Sequence, residues 1–305
     1  MSDAASRLFM PALGPPDERA RRQRFYALKR WSSYTAWNRI LALFQVWADH
    51  AEASVLESIA KNLESKSSVR EDDYASILKG VARCDEGVRR LRAGDKRVFR
   101  CDVNGHFAIA AKRALAHWGR RLGPTGLIET GGILVNADHT PHWHAFERAA
   151  IELMRAWDEC ALPILEPHGT GAATHAAAAT HVDGPPQWVP RLAFPEPLPA
   201  VPDPAKAVLV GSGRIVRHSG IWEAVDAPAP KLIRLFWPRP PKGPLPIVGP
   251  MAYLHAGACA PHGARQGDID GGPCTWRLLW RDQRYEDGSI PEEERHYEFF
   301  SDAAA

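Results

Sequence analysis

A proline-rich stretch between two differently patterned regions is the feature that most constrains how this chain can fold. Ten prolines lie from Pro163 to Pro204, together with a low-complexity run of Ala and Thr at 172–180. Proline removes a backbone donor and blocks regular helix or sheet pairing. We therefore predict a Pro/Ala-rich linker at 166–205, between one domain at 1–165 and a second domain at 206–305.

The region before the linker has the apolar spacing of helices. Its clearest row recurs every three or four residues, which marks one face of a single helix. This row consists of Trp143, Phe146, Ala150, Leu153, Trp157 and Ala161. Similar spacing predicts further helices near 17–48, 54–63, 72–93 and 104–121. The sequence thus predicts an N-terminal α-helical bundle.

The region after the linker is divided by Gly and Pro into short β-type segments. These segments are 207–210, 214–216, 221–224, 231–237 and 275–281. Their lengths favour a small C-terminal domain that is β-barrel-like or a bent antiparallel sheet. A Gly- and Ala-rich stretch at about 249–273 is interpreted as an insertion before the last strand. The predicted fold class is α+β.

Tryptophans alternate with turn residues in this C-terminal domain. The pattern is a Ser-Gly-x-Trp turn, a Gly-x-x-Pro loop and a later Trp, and its residues are Ser219, Gly220, Trp222, Gly243, Pro246 and Trp276. Large indoles can fill a core too small to be filled otherwise. We interpret these residues as structural, in a domain built for binding.

This order of motifs resembles the C-terminal module of proteobacterial immunity proteins from polymorphic toxin and type VI secretion systems. The resemblance also includes an Arg-x-aromatic strand at 234–236 and a helical N-terminal region. The chain departs from the pattern at Arg217-His218, where a Cys-Pro pair often stands, and at Leu245, which replaces a common Met. The resemblance implies a protein that binds and neutralises a cognate toxin effector, with no enzymatic activity and no cofactor.

A basic run on the first predicted helix is one candidate binding feature. It consists of Arg21, Arg22, Arg24, Lys29 and Arg30, interleaved with aromatic residues. Such a run can contact nucleic-acid phosphates, although a solvated helix face is the commoner role. The basic run supports an alternative hypothesis, a DNA-binding transcriptional regulator.

Aromatic residues on the same predicted helix recur every third residue, so their row winds around a helix of 3.6 residues per turn. Trp31, Tyr34 and Trp37 belong to this row. Two explanations are open. Either the helix is buried on several sides or broken near 32–33, or some of these aromatics are anchors for a partner.

An acidic run near the C-terminus is the second candidate for partner binding. Its candidate residues are Glu286, Asp287, Glu292, Glu293 and Glu294. A negative edge of this kind can cover a basic nuclease cleft and compete with substrate phosphates, whereas the simpler interpretation is a solubilising tail. We favour a nuclease as the toxin on this ground.

Composition and spacing argue against other classes. The formal net charge is only +2 over 305 residues, and five cysteines at irregular spacings fit reduced thiols. No segment reaches the roughly 20 apolar residues of a membrane span. The histidines at 139–144 lack the spacing of a metal site. We expect a cytoplasmic protein with no metal and no membrane partner.

Overall fold

A computed structural model describes residues 17–122, 135–166, 194–204, 208–226, 245–262 and 273–299. Within these residues, α-helices come first and a four-stranded antiparallel sheet follows. The α+β class is therefore confirmed. Of the two predicted forms of the β region, the observed one is the open antiparallel sheet.

The helices pack around the long helix α2 (Tyr34–Ala60), which contacts both α3 (Glu71–Arg92) and α6 (Trp143–Ile164). Their bounds are α1 Glu18–Trp31, α2 Tyr34–Ala60, α3 Glu71–Arg92, α4 His106–Arg113, α5 Leu115–Leu122 and α6 Trp143–Ile164. The predicted helix at 72–93 agrees with α3, and the one at 104–121 corresponds to α4 and α5. The predicted gap between 48 and 54 is wrong, because α2 continues through it.

The predicted helix at 17–48 is broken at Ser32 and Ser33. The Ser32 hydroxyl donates to the carbonyl of Leu28 at 2.7 Å, which satisfies a carbonyl near the end of α1. Ser33 is extended and its hydroxyl accepts from the amide of Ala36 at 3.1 Å, as an N-cap of α2. Serine side chains offer the backbone these local partners, so two adjacent serines can end one helix and begin the next.

The strands are β1 Leu209–Gly211, β2 Gly220–Val225, β3 Ile247–Leu254 and β4 Thr275–Arg281, in the order β1-β4-β2-β3. The predicted segments at 221–224 and 275–281 correspond to β2 and β4. The segment at 207–210 is shifted to β1, and the one at 214–216 forms only an isolated bridge between Ile215 and Cys259. The segment at 231–237 lies outside the described residues.

Strand β3 corrects the interpretation of 249–273 as an insertion. Its interior contains Pro250, which signals a break when the sequence is read locally. The proline is tolerated because β3 is an edge strand and its pairing with β2 shifts register between Glu223 and Val225. The position of β3 at the edge of the sheet, which the local sequence does not show, therefore allows a strand through Pro250.

Both faces of the sheet are covered. One face packs on the helices, through residues that include Ile221, Tyr253 and Leu279. The other face has a smaller core, in which the indoles of Trp222 and Trp276 are buried. Each indole N–H donates to a loop carbonyl, that of His218 at 3.2 Å and that of Pro261 at 2.9 Å.

The helical and sheet regions share one buried cluster in this structure. The described part of the predicted linker, 194–204, also packs against this cluster: Phe194 meets Tyr26 edge-on at 6.2 Å, and Leu198 and Val201 follow. The division into two domains stays a prediction. None of the described helices is both long and apolar enough to span a membrane.

Candidate partner-binding site

The C-terminal segment after β4 crosses the break between α1 and α2. Glu294, on this segment, is 1% exposed and accepts from the amide and hydroxyl of Thr35 at 3.1 and 2.9 Å. It also accepts from the hydroxyl of Tyr285. Helix α2 has no acidic residue in its own first turn, so Glu294 supplies the anion that a helix N-terminus favours. Glu294 is therefore a buried helix cap and not a residue of the exposed surface.

Arg284 has the complementary role at the end of α1. Its buried guanidinium donates to the carbonyl of Lys29 at 2.8 Å and to the carbonyl and hydroxyl of Ser32 at 3.2 and 2.7 Å. Carbonyls at a helix C-terminus lack intrahelical donors and favour a cation. The same guanidinium pairs with buried Asp282 at 2.7 Å. The break is thus held by a cation at one helix end and an anion at the other.

Lys96 completes this buried polar junction. Its ammonium donates to the carbonyl of Arg284 at 2.8 Å, lies 3.7 Å from Asp282 and stands 4.2 Å from the ring centre of Tyr285. Burial lowers the pKa of Lys96 to about 8, against the opposing effect of Asp282. Burial alone would raise the pKa of Asp282, but Arg284 and Lys96 outweigh it and the pKa is lowered.

The basic run on α1 is largely engaged inside the molecule. Arg21 binds the buried carboxylate of Glu223 through two nitrogens, at 2.7 and 3.1 Å, and Arg24 donates to the carbonyl of Met251. Lys29 pairs with Glu293 at 2.6 Å. These three side chains therefore attach α1 to the sheet and to the C-terminal segment.

The two remaining members of the basic run differ in exposure. Arg30 is buried and donates to the carbonyl of Glu298 at 2.9 Å. Arg22 is half-exposed and pairs with Glu18 on the same helix at 2.9 Å. The run is therefore not a continuous basic surface.

The aromatic row agrees with the first of the two explanations given for it. Trp37 is 0% exposed, stacks on Phe107 with ring centres 4.1 Å apart, and donates from its indole to the carbonyl of Trp31 at 2.9 Å. Trp31 is buried as well. Both indoles belong to the core around the helix break, so we do not include them in a partner-binding surface.

Tyr34 is the member of the aromatic row that reaches the surface. It meets Tyr285 edge-on at 6.2 Å and lies under the guanidinium of Arg92 at 5.6 Å. Arg92 in turn donates to the carbonyl of Gly288 at 2.5 Å, in the turn that carries two exposed acidic residues. We define the acidic edge as the exposed residues Glu286, Asp287 and Glu292. The structure thus brings Tyr34 close to the turn that carries part of the acidic edge.

The Ser-Gly turn of the C-terminal motif supports the buried junction. The hydroxyl of Ser219 accepts from the amide of Ala256 and its carbonyl accepts from the amide of Asp282, both at 3.0 Å. A Cβ on Gly220 would lie 2.1 Å from the carbonyl oxygen of Trp280, so this close approach requires glycine. The carbonyl of Pro246 accepts from the amide of Asp226, the residue after β2, at 2.8 Å. Gly243 lies outside the described residues.

A second exposed surface, which the sequence interpretation missed, lies on α2. We define the α2 face as seven exposed residues spaced alternately four and three apart: Asn38, Ala42, Gln45, Asp49, Glu52, Leu56 and Ile59. This spacing places all seven on one side of the helix. The sequence shows the same spacing. These positions mix polar, acidic and apolar residues, however, so neither a charged nor an apolar pattern singles them out.

Neither a metal-binding cluster nor a disulfide is present among the described residues. Among the described residues, no group of three or more His, Cys, Asp or Glu side chains is arranged to hold a metal ion. A mainly apolar groove of about 840 Å³ lies between α4, α5 and α6, lined by side chains such as Ala111, Leu115 and Met154. All five cysteines are free thiols.

The helical region is also the part of the chain that matches a known family. Residues 15–175, just over half of the chain, match the family model described as immunity protein 71. The chain belongs to the immunity protein 71 family. This match confirms an immunity protein of a toxin–immunity system, although it lies on the helices and not on the C-terminal motifs that carried the resemblance. No curated protein and no solved structure matches the chain.

Proposed function

We propose that this immunity protein neutralises one secreted toxin by binding it tightly and occluding its active cleft, with no reaction of its own. The observation that carries the proposal is the family match over the helical region, because immunity proteins act on a cognate toxin. The exposed acidic and apolar residues of that region supply a surface for such binding. Both the α2 face and Tyr34 lie within the matched residues.

The toxin in this proposal is a nuclease with a basic cleft that acts in the cytoplasm, delivered by a polymorphic-toxin or type VI secretion system. The acidic edge and the acidic centre of the α2 face support a basic partner, since complementary charge speeds association and disfavours wrong partners. The C-terminal motifs support the secretion context. An acidic surface bound in the cleft would compete with the phosphates of the nuclease substrate.

The alternative hypothesis, a DNA-binding regulator, has little support in the geometry. DNA binding needs Lys and Arg side chains that can reach phosphates. Within the basic run, Arg21, Arg24, Lys29 and Arg30 are instead bound to groups of the same chain.

The test is growth of a sensitive host that expresses the toxin encoded beside this gene, with and without the immunity protein. We expect rescue of growth, a stable complex on co-purification, and loss of nuclease activity at a one-to-one ratio. Persistent toxicity without a complex would overturn the proposal. Retention of a short DNA duplex, with a steep dependence on salt, would instead favour the regulator.

A further inference from the structure

We infer that the α2 face is the docking surface for the toxin, and that it takes a basic surface carrying apolar anchor residues. This inference rests on the proposed function and names the site and the partner chemistry for it. It differs from the acidic edge, which the sequence suggested, because it places the main contact on the family-matched helices.

The α2 face is long, regular and turned away from the core. It extends from Asn38 to Ile59, about 30 Å along the helix at 1.5 Å per residue. The opposite sides of α2 are occupied, since the helix packs on α3 and α6 and buries Phe44 and Trp47. The fold therefore leaves one complete side of its longest described helix open to a partner.

Large apolar side chains are concentrated at this side of the bundle. Leu56 is 60% exposed, Ile59 is 49% exposed, and Val46, beside the face on the same helix, is 45% exposed. Leu78 on neighbouring α3 is 43% exposed. Exposed apolar residues that are grouped, as these are, mark interaction surfaces more often than single ones do.

Helix α3 extends the surface sideways. Gly80 lies against Phe44: a Cβ at this glycine would be 3.1 Å from the phenyl ring. Tyr74 interacts with Glu52 on α2, whose negative charge raises the pKa of the tyrosine. Leu78 follows Tyr74 by four residues and therefore lies on the same side of α3. Its exposed side chain thus lies on the side of α3 that carries Tyr74.

The centre of the α2 face carries negative charge that no cation balances among the described residues. Asp49 and Glu52 take part in no ion pair there, whereas nearby Glu57 pairs with Lys61 at 2.5 Å and with His142 at 2.7 Å. Desolvation raises the pKa of the Tyr74 hydroxyl, and the nearby charges of Glu52 and Asp49 raise it further. Unbalanced acids beside exposed apolar residues fit a partner with Lys or Arg around apolar anchors.

The experiment measures binding of the neighbouring-gene toxin to two α2-face variants at low and high salt. In D49K/E52K, we expect association to slow by about tenfold and to lose most of its salt dependence, since steering is removed. In L56E/I59E, we expect dissociation to speed by about tenfold or more, since apolar anchors are lost. A matched control, E152K/L162E, changes an exposed acid and an exposed leucine on α6 and should bind within about twofold of wild type.

Circular dichroism and thermal unfolding confirm that each variant is folded, and the milder D49N/E52Q keeps side-chain shape if D49K/E52K unfolds. Wild-type kinetics in both folded α2-face variants would overturn this inference while leaving the proposed function intact. Loss of binding only on reversal of Glu286 and Asp287 would move the site to the acidic edge. Failure of the wild-type protein to bind would overturn the proposed function and this inference together.

Discussion

The basic run on α1 and the α2 face are both charged, yet the fold uses them in opposite ways. Most of the basic run is bound to buried or half-buried groups of the same chain. Asp49 and Glu52 on the α2 face form no ion pair among the described residues, although Tyr74 is a hydrogen-bond partner of Glu52, and they lie beside exposed apolar side chains. A charged run in a sequence is therefore available to a partner only where tertiary packing leaves it without ion pairs.

The largest effect on stability should come from Arg284, whose guanidinium binds the end of α1, the helix that carries the basic run. In R284M, the carbonyls at the end of α1 lose their cation, and the carboxylate of Asp282 keeps Lys96, at 3.7 Å, but loses the guanidinium. Breaking a buried pair from one side typically costs about 3–5 kcal/mol in the free energy of unfolding. Urea unfolding measures this loss.

The control is R295A, because Arg295 is exposed on the same segment and pairs with exposed Glu292 at 2.9 Å. This variant should change the free energy of unfolding by less than about 0.5 kcal/mol. A similarly small effect of R284M would mean that the junction is not what holds the C-terminal segment to the helices.

The second effect is a pH dependence that belongs to the junction alone. The pKa of Lys96 is lowered to about 8 in the folded protein, mainly by burial. Between this value and the ordinary lysine pKa of about 10.4, the unfolded chain binds more protons, so stability contributed by Lys96 rises with pH. The gain amounts to at most about 3 kcal/mol by pH 10.

The measurement compares the free energy of unfolding of wild type and K96M, by urea, at pH 7 and pH 10. The other titratable groups are present in both proteins, so their contribution cancels in the difference. We expect wild type to gain stability relative to K96M as pH rises. An unchanged difference between the two proteins would show that the ammonium is not desolvated at this junction.

The third effect tests the cap of α2. In E294Q, the side chain keeps its shape but loses the charge at the helix N-terminus, so we expect a loss of about 1–2 kcal/mol in the free energy of unfolding. E292Q is the matched control, since Glu292 is two residues away and exposed. Equal, small losses of unfolding free energy in the two variants would show that the charge of Glu294 does not stabilise the N-terminus of α2.

The smallest effect compares two adjacent residues of the basic run. R21A leaves buried Glu223 with Arg277 as a remaining cation, at 2.8 Å, so we expect a loss of about 1 kcal/mol. R22A removes only a pair with Glu18 on the same helix and should cost less than about 0.5 kcal/mol. Thermal and urea unfolding of the two variants measure the difference, and the reverse order would contradict the inward role of Arg21.

The sequence by itself determined the elements whose signals are local. Helices α3 and α6 follow from apolar residues three and four apart, and β2 and β4 follow from short apolar segments between turn residues. The break at Ser32 and Ser33 was part of one of the two explanations left open for the aromatic row. Serine side chains can cap either helix end, so the local sequence permits such a break. These features depend on neighbours within one or two turns, which a sequence displays directly.

Tertiary structure alone decided which charges and aromatics are available to a partner. Glu294 caps a helix that begins 260 positions earlier in the chain, and Pro250 is accepted because β3 lies at the sheet edge. Trp37 is buried because several helices surround it, although its spacing also suited an exposed anchor. Burial and pairing arise between residues far apart in sequence, so a local pattern lists the candidates and only packing selects among them.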